Sequence, residues 1–224
     1  MIRTKKKGLL VVISGPSGAG KDSVLQKARE NNSNLYESIS CTSRKMRMGE
    51  VEGKDYFFLT KEEFEDKINN NEFLEYAEYA GNYYGTPKRN VRKMLDSGKD
   101  VVLVIEIKGA LQIKKLVSDA LFIFIMPPSM DILIKRLINR KTDSKDKILE
   151  RFKTAYQEIN EVTKYNYVIV NDDLTEASFK LNCILQTQRC RVDRIEEVFL
   201  NNKEEEMHEI LLDNKIFDNN EKEF

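Results

Sequence analysis

The stretch Gly15-Pro16-Ser17-Gly18-Ala19-Gly20-Lys21-Asp22-Ser23 constrains this chain more than any other. It follows an apolar run, Leu9-Leu10-Val11-Val12-Ile13, and precedes a segment patterned as a helix. A glycine-rich turn between a buried strand and a helix is built to hold phosphate. Its backbone N–H groups converge on an anion, the helix amino terminus adds positive potential, and Lys21 reaches the outer phosphates. Gly15 through Ser23 are therefore the candidate triphosphate contacts. Asp22 stands where the pattern expects Ser or Thr, which makes Ser23 the nearest hydroxyl. Both are candidate metal ligands, Ser23 the more conventional.

Three further apolar runs read as core strands: Asp100 to Ile105, Leu121 to Ile125 and Tyr167 to Val170. Val101-Val102-Leu103-Val104-Ile105 does not alternate, as expected of a strand buried on both faces. Helical segments lie between the runs, at Ser23 to Glu30, Leu111 to Val117 and Ser129 to Asn139. This order predicts an α/β fold: a mostly parallel sheet flanked by helices, with ligands gathered at the carboxyl ends of its strands. The phosphate loop, Glu106 and Asn171 all fall at such ends.

The section from about Ser38 to Leu95 breaks the rhythm and predicts an inserted α+β lobe. It contains a helix opened by Thr60 with Glu63 three residues on, the spacing of a capping box. The expected organisation is a core over 1–37, 96–138 and 152–188, a lobe over 38–95, a polar lid over 139–151 and an acidic extension over 189–224. From charge pattern alone, the lid segment reads first as a solvated loop between helices. A further helix is expected in the extension.

Bulk properties exclude several classes. The 37 basic and 37 acidic side chains cancel, which argues against a stable nucleic-acid partner. Cys41, Cys183 and Cys190 form no C-x-x-C pair, and His208 is the sole histidine, so neither a disulfide scaffold nor a zinc cluster is expected. No apolar run reaches membrane-spanning length. A cytoplasmic setting with no membrane partner is the expectation, with a homo-oligomer left open.

The chemistry that fits is phosphoryl transfer to a second substrate. Ser40, Arg44 and Arg47 can hold an acceptor phosphate through forked, charge-assisted hydrogen bonds, with Tyr56 and Tyr84 as phenolic donors. Glu75, in a mostly apolar run, can accept from the N–H edge that guanine presents and adenine does not. Glu106 ends the most buried strand and faces the cleft, where it can bind a magnesium-held water or the acceptor's hydroxyls. Arg136, Arg140 and Arg151 can close over the transferring group and exclude water.

In this order the pieces resemble the guanylate kinase family. They are Ser14 to Lys21, Thr42-Ser43-Arg44-Lys45-Met46-Arg47, Gly49-Glu50-Val51, Gly53 to Phe58, Asn71 to Glu75, Gly81 to Thr86, Glu106 to Ala110, Arg136 to Arg140 and Val170 to Leu174. The resemblance covers roughly Gly8 to Leu185. It implies a P-loop NTPase fold and ATP-dependent phosphorylation of GMP, and of dGMP, with magnesium. It places Ser40, Arg44, Arg47, Tyr56 and Tyr84 on the GMP phosphate. It moves Glu106 to the guanine beside Glu75 and Thr86, makes Lys21, Arg44, Arg136, Arg140 and Arg151 catalytic, and sets Asn171 near the ATP adenine. The departures are Asp22, Lys108, and Asn139 and Lys141 flanking Arg140. Gly-Lys-Asp-Ser also resembles the phosphate loop of ribose-bisphosphate phosphokinases, which the guanine set argues against. Non-catalytic scaffold domains of the same family are the competing class; they lose the loop lysine or the lid arginines, which stand here.

Overall fold

The structure, a computed structural model, describes residues 3–6, 8–79, 81–139, 145–199 and 202–212. Along the chain run β1 (Arg3–Lys6), β2 (Leu10–Ser14), α1 (Lys21–Glu30), β3 (Leu35–Glu37), β4 (Cys41–Thr42), β5 (Phe57–Phe58) and α2 (Lys61–Asn69). Next come β6 (Phe73–Tyr79), β7 (Asn82–Pro87), α3 (Lys88–Asp96), β8 (Asp100–Val104) and α4 (Ile107–Leu116). Then follow β9 (Leu121–Met126), α5 (Met130–Asn139), α6 (Lys145–Ile159), β10 (Tyr167–Val170), α7 (Leu174–Arg189), β11 (Ile195–Phe199) and α8 (Asn202–Leu212).

The central sheet is parallel, in the order β10-β9-β2-β8-β3. Every residue of β2 is buried, because it lies mid-sheet with helices over both faces. On one face Val11, Ile13 and Ile123 pack with Leu25 and Ala28 of α1 and Leu181 and Leu185 of α7. On the other, Val12, Leu103 and Phe122 meet Val91 of α3 and Ala110 and Ile113 of α4. The four expected core strands are present, and the α/β class is as read. The strand missed was β3, whose only buried residue is Leu35.

Asp100 locks the amino-terminal end of this sheet. Its fully buried carboxylate accepts from the Leu9 N–H at 2.9 Å and from Arg189 of α7 at 2.7 Å. Removing one partner of such a pair strands the other. Asp100→Ala should cost about 3 kcal/mol, at the lower end for buried pairs because Arg189 retains some solvent. Urea denaturation of the two proteins checks this.

A second sheet, β5-β4-β7-β6, is built from residues 41–87. The capping box at Thr60 and Glu63 opens α2, with both reciprocal hydrogen bonds present. Phe64 of α2 is fully buried between the rings of Phe73 and Tyr83, at centroid distances of 4.4 and 5.2 Å. This aromatic stack holds α2 against the sheet and so positions β6 and β7.

The flanks differ from the expectation of a helix alone. β1 and β11 pair antiparallel, joining the basic amino terminus to the stretch after Gln188, and α8 follows. The polar segment 139–151 is not one loop, because α6 begins at Lys145. Arg140 and Lys141 lie outside the described residues. Among the described residues no helix is long and apolar enough to cross a membrane.

Candidate active site

β2 ends at Ser14, and the chain turns through Gly15 (φ 149°), Gly18 (φ 93°) and Gly20 (φ 87°) into α1. A Cβ at Gly15 would stand 2.1 Å from the Ile125 carbonyl oxygen, and one at Gly20 would stand 2.4 Å from Asn171 Nδ2. The loop is thus pressed against β9 and the end of β10. Asn171 is buried and donates its side-chain N–H to the Ala19 carbonyl at 2.8 Å. Arg136 donates to the Asn171 carbonyl at 2.9 Å and reaches the Ala19 carbonyl at 3.5 Å. Arg151 donates to Ser17 Oγ at 3.3 Å. The Lys21 ammonium folds back on the Gly15 and Pro16 carbonyls at 2.6 and 3.4 Å.

A cleft of about 370 Å³ joins this loop to the second sheet. One wall carries Ser17, Lys21, Asp22 and Ser23; the other carries Ser40, Tyr56, Glu75 and Tyr84, and Glu106 also lines the cleft. A hollow of about 310 Å³ lies on the far side of the loop, between Gly18, Arg136, Asn171 and Leu174. A larger one, about 580 Å³, opens at the amino-terminal end of the sheet beside Gly8, Asp119 and Arg194, away from the phosphate loop.

Glu75 is 6% exposed, and its Oε1 accepts from the Thr86 hydroxyl at 2.7 Å. Burial raises its pKa, and the Thr86 hydrogen bonds oppose the rise. Its Oε2 rests against α4 at Gly109, where a Cβ would stand only 2.4 Å away. Any side chain there would drive the carboxylate out of position. Gln112, one turn on, donates to the Tyr76 carbonyl at 3.0 Å and accepts from the Tyr76 N–H at 3.4 Å, tying β6 to the same helix.

Arg44 lies over the rings of Tyr56 and Phe58, at 5.5 and 5.8 Å. Both arms of its guanidinium meet Glu50, at 2.7 and 3.0 Å, a planar fork-to-fork contact. The Glu50 hydrogen bond is the main reason the Arg44 pKa is raised and the Glu50 pKa lowered. Glu50 also accepts the Arg47 backbone N–H at 2.7 Å, while the Arg47 side chain is exposed.

The cleft thus gathers Lys21, Ser40, Tyr56, Glu75, Tyr84 and Glu106, with Thr86 and Arg44 one contact behind. Asn171 and Arg136 lie across the phosphate loop from them. Two residues that touch the candidate site were not singled out in the sequence: Glu50 and Gly109. Glu50 falls three and six residues beyond Arg47 and Arg44, a spacing that offered a hint. Gly109 is a lone glycine in a helical pattern, which signals close approach.

A family model described as guanylate kinase matches residues 7–188. The chain belongs to the guanylate kinase family. It is 53% identical over 208 residues to a guanylate kinase of Clostridium tetani, covering 93% of this chain and all of that protein. It is 51% identical over 212 residues to one from Clostridium perfringens, covering 95% and 98%. The latter alignment is longer than the family-model match, so similarity to that guanylate kinase extends into the flanks. The crystal structure of guanylate kinase from Anaplasma phagocytophilum superposes with a TM-score of 0.72 at 36% identity, covering 86% of this chain and 92% of that one.

Proposed function

We propose that this chain transfers the γ-phosphoryl group of ATP to GMP, and to dGMP, forming ADP and the guanine nucleoside diphosphate. The observation that carries the reading is the buried Glu75, held from behind by Thr86 and facing the same cleft as Lys21. Guanine offers N1–H and an exocyclic NH₂ along one edge, and a carboxylate accepts both. Adenine offers a lone pair at N1, which the same carboxylate repels.

In this reading the triphosphate lies along Gly15 to Ser23, with the adenine toward Asn171 and Arg136. Ser40, Arg44, Arg47, Tyr56 and Tyr84 take the GMP phosphate; Glu75, Thr86 and Glu106 take the base. Lys21, Arg136, Arg140 and Arg151 offset charge on the transferring group. Positioning and positive charge suffice for this chemistry, so no strong base is required.

The oxygens of Ser23 and Asp22 on the first turn of α1 suit magnesium, a hard cation. Among the described residues no group of three or more His, Cys, Asp or Glu could hold a metal unaided. This fits an ion that arrives with substrate phosphates and keeps only one or two protein oxygens. Such an ion would neutralise phosphate oxygens. The setting proposed is cytoplasmic, with no nucleic-acid or membrane partner.

A coupled assay of GMP, AMP, UMP and ribose bisphosphate should show turnover concentrated on GMP. Turnover of AMP equal to that of GMP would remove the assignment. Glu50→Ala should raise the KM for GMP about tenfold, equivalent to about 1.4 kcal/mol, because Arg44 loses the carboxylate that aims it. The KM for ATP should stay within twofold in the same assay.

A further inference from the structure

β6 is the outer strand of the second sheet and pairs with β7 on one side only. In an antiparallel pair, successive residues turn their main-chain N–H and C=O alternately toward the partner strand and away from it. Tyr76 turns both away. Among the described residues no strand lies along that edge. The side chain of Gln112 on α4 meets the two groups instead. Its Nε2 donates to the Tyr76 carbonyl at 3.0 Å, and its Oε1 accepts the Tyr76 N–H at 3.4 Å. One primary amide thus supplies the donor and the acceptor that a neighbouring strand would supply.

Three successive residues of β6 are anchored on this side of the core. Leu74 packs on the apolar cluster that contains Ala110 and Ile113 of α4. Glu75 Oε2 occupies the space that a Cβ on Gly109 would need, 2.4 Å away. Tyr76 is held by Gln112, three residues beyond Gly109 and so on the same face of the helix. The three anchors differ in what they can fix. Apolar packing is non-directional, and a glycine only leaves room. The Gln112 amide is directional at both ends, so of the three it is the one that sets the register of β6 along α4. Glu75 is the adjacent residue of the strand.

We propose that Gln112 is a positioning residue for guanine selectivity: standing in for a strand at the edge of β6, it fixes where the Glu75 carboxylate meets the base. The proposal rests on the reading of Glu75 as the guanine contact. Hydrogen bonds weaken steeply with misalignment. A β6 free to shift along α4 loses the aim of Glu75 first, while the acceptor phosphate keeps its own partners in the lobe. Tyr76 is 41% exposed, so water can take up its main-chain groups when the amide is removed. The fold therefore loses little, and the effect falls on the site.

Gln112→Leu keeps a side chain of similar size and helix propensity and removes both hydrogen bonds. Inosine monophosphate is GMP without the exocyclic NH₂, so it reports the Glu75 contact. In calorimetric titrations the wild type should bind GMP at least about tenfold tighter than inosine monophosphate, the worth of one hydrogen bond to a charged group. In Gln112→Leu that preference should shrink about fivefold, as the bond loses its alignment. The KM for GMP should rise about fivefold in a coupled assay, with kcat and the KM for ATP within about twofold. The Tm should fall by no more than about 4 °C, the effect of one ordinary hydrogen bond in a chain of this size. A glutamine that only braced the fold would lower the Tm and weaken the two nucleotides alike. In a Glu75→Gln background the same change should alter the preference by less than about twofold, because the carboxylate it positions is gone. An unchanged preference in Gln112→Leu, or a further loss of similar size in the Glu75→Gln background, would overturn the role. Should Gln112→Leu prove insoluble, Gln112→Ala makes the same deletion with less apolar surface. Wild-type turnover of GMP and AMP is measured alongside. If GMP is not favoured, the reading of the cleft fails and the role of Gln112 with it; if GMP is favoured and Gln112→Leu keeps the wild-type preference, only the role of Gln112 fails.

Discussion

Lys21→Met should lower kcat by about 10³-fold while leaving GMP binding within twofold of the wild type. In the empty enzyme the ammonium rests on the Gly15 and Pro16 carbonyls, 2.6 and 3.4 Å away, so it is poised at the rim of the loop. Nucleotide phosphates outcompete neutral carbonyls for it, and its charge then meets the negative charge spread over the transferring group. Removing one such preorganised donor from a transition state typically costs 10²–10³-fold, about 3–4 kcal/mol. A full positive charge belongs at the upper end. Methionine keeps the length of the stem, so the change removes charge and little volume. Lys21→Arg should not rescue, because a planar guanidinium cannot enter a space shaped for a compact ammonium. The acceptor contacts come from the second sheet and from Glu106, so GMP titration should be nearly unaffected. Coupled turnover together with GMP calorimetry separates the two effects, and equal loss in both would make Lys21 a structural residue.

The parts of this protein legible in its sequence are those fixed by local pattern. β2, β8 and β9 are buried on both faces, so each is a continuous apolar run. The Thr60–Glu63 box is a four-residue signal and opens α2 as read. β3 has one buried residue and leaves no trace. The pairing of Arg3–Lys6 with Ile195–Phe199 joins opposite ends of the chain, and Arg-Thr-Lys-Lys carries no alternation that announces a strand. Segment 139–151 was read by charge. Yet α6 begins at Lys145 within it, and its apolar stripe of Ile148, Phe152 and Ala155 lies mostly beyond it.

The site divides the same way. Glu75 stood out because an acid in an apolar run is costly unless it serves a partner. The phosphate loop stood out by its spacing. What no spacing reveals is contact between distant segments: Gly109 of α4 against Glu75 of β6, or Arg151 of α6 against Ser17. These depend on how α4 and α6 dock, which is decided by packing across the whole core.

The Gly109 contact leads to the second large effect. Gly109→Ala should raise the KM for GMP about thirtyfold and leave the KM for ATP unchanged, while the protein becomes no less stable. A new Cβ would stand 2.4 Å from Glu75 Oε2 and 3.0 Å from its Cδ. The obstacle is the tip of a flexible side chain, so the clash is relieved by moving the carboxylate. Alanine also favours a helix over glycine, by up to about 1 kcal/mol in a helix interior and by less here in the first turn of α4, which offsets part of the cost of that movement. The displaced carboxylate loses its alignment with Thr86 and with the N–H edge of guanine. Each charge-assisted hydrogen bond lost is worth about 1.5–3 kcal/mol, which sets the thirtyfold figure. Glu75→Gln should match that rise from the other side. It keeps an acceptor for Thr86 but can turn an amide N–H toward the guanine donors. Thermal melts with GMP and ATP kinetics on both variants test the pair. A Gly109→Ala protein that melts well below the wild type, with KM for GMP intact, would show that the helix and not the carboxylate depends on this glycine.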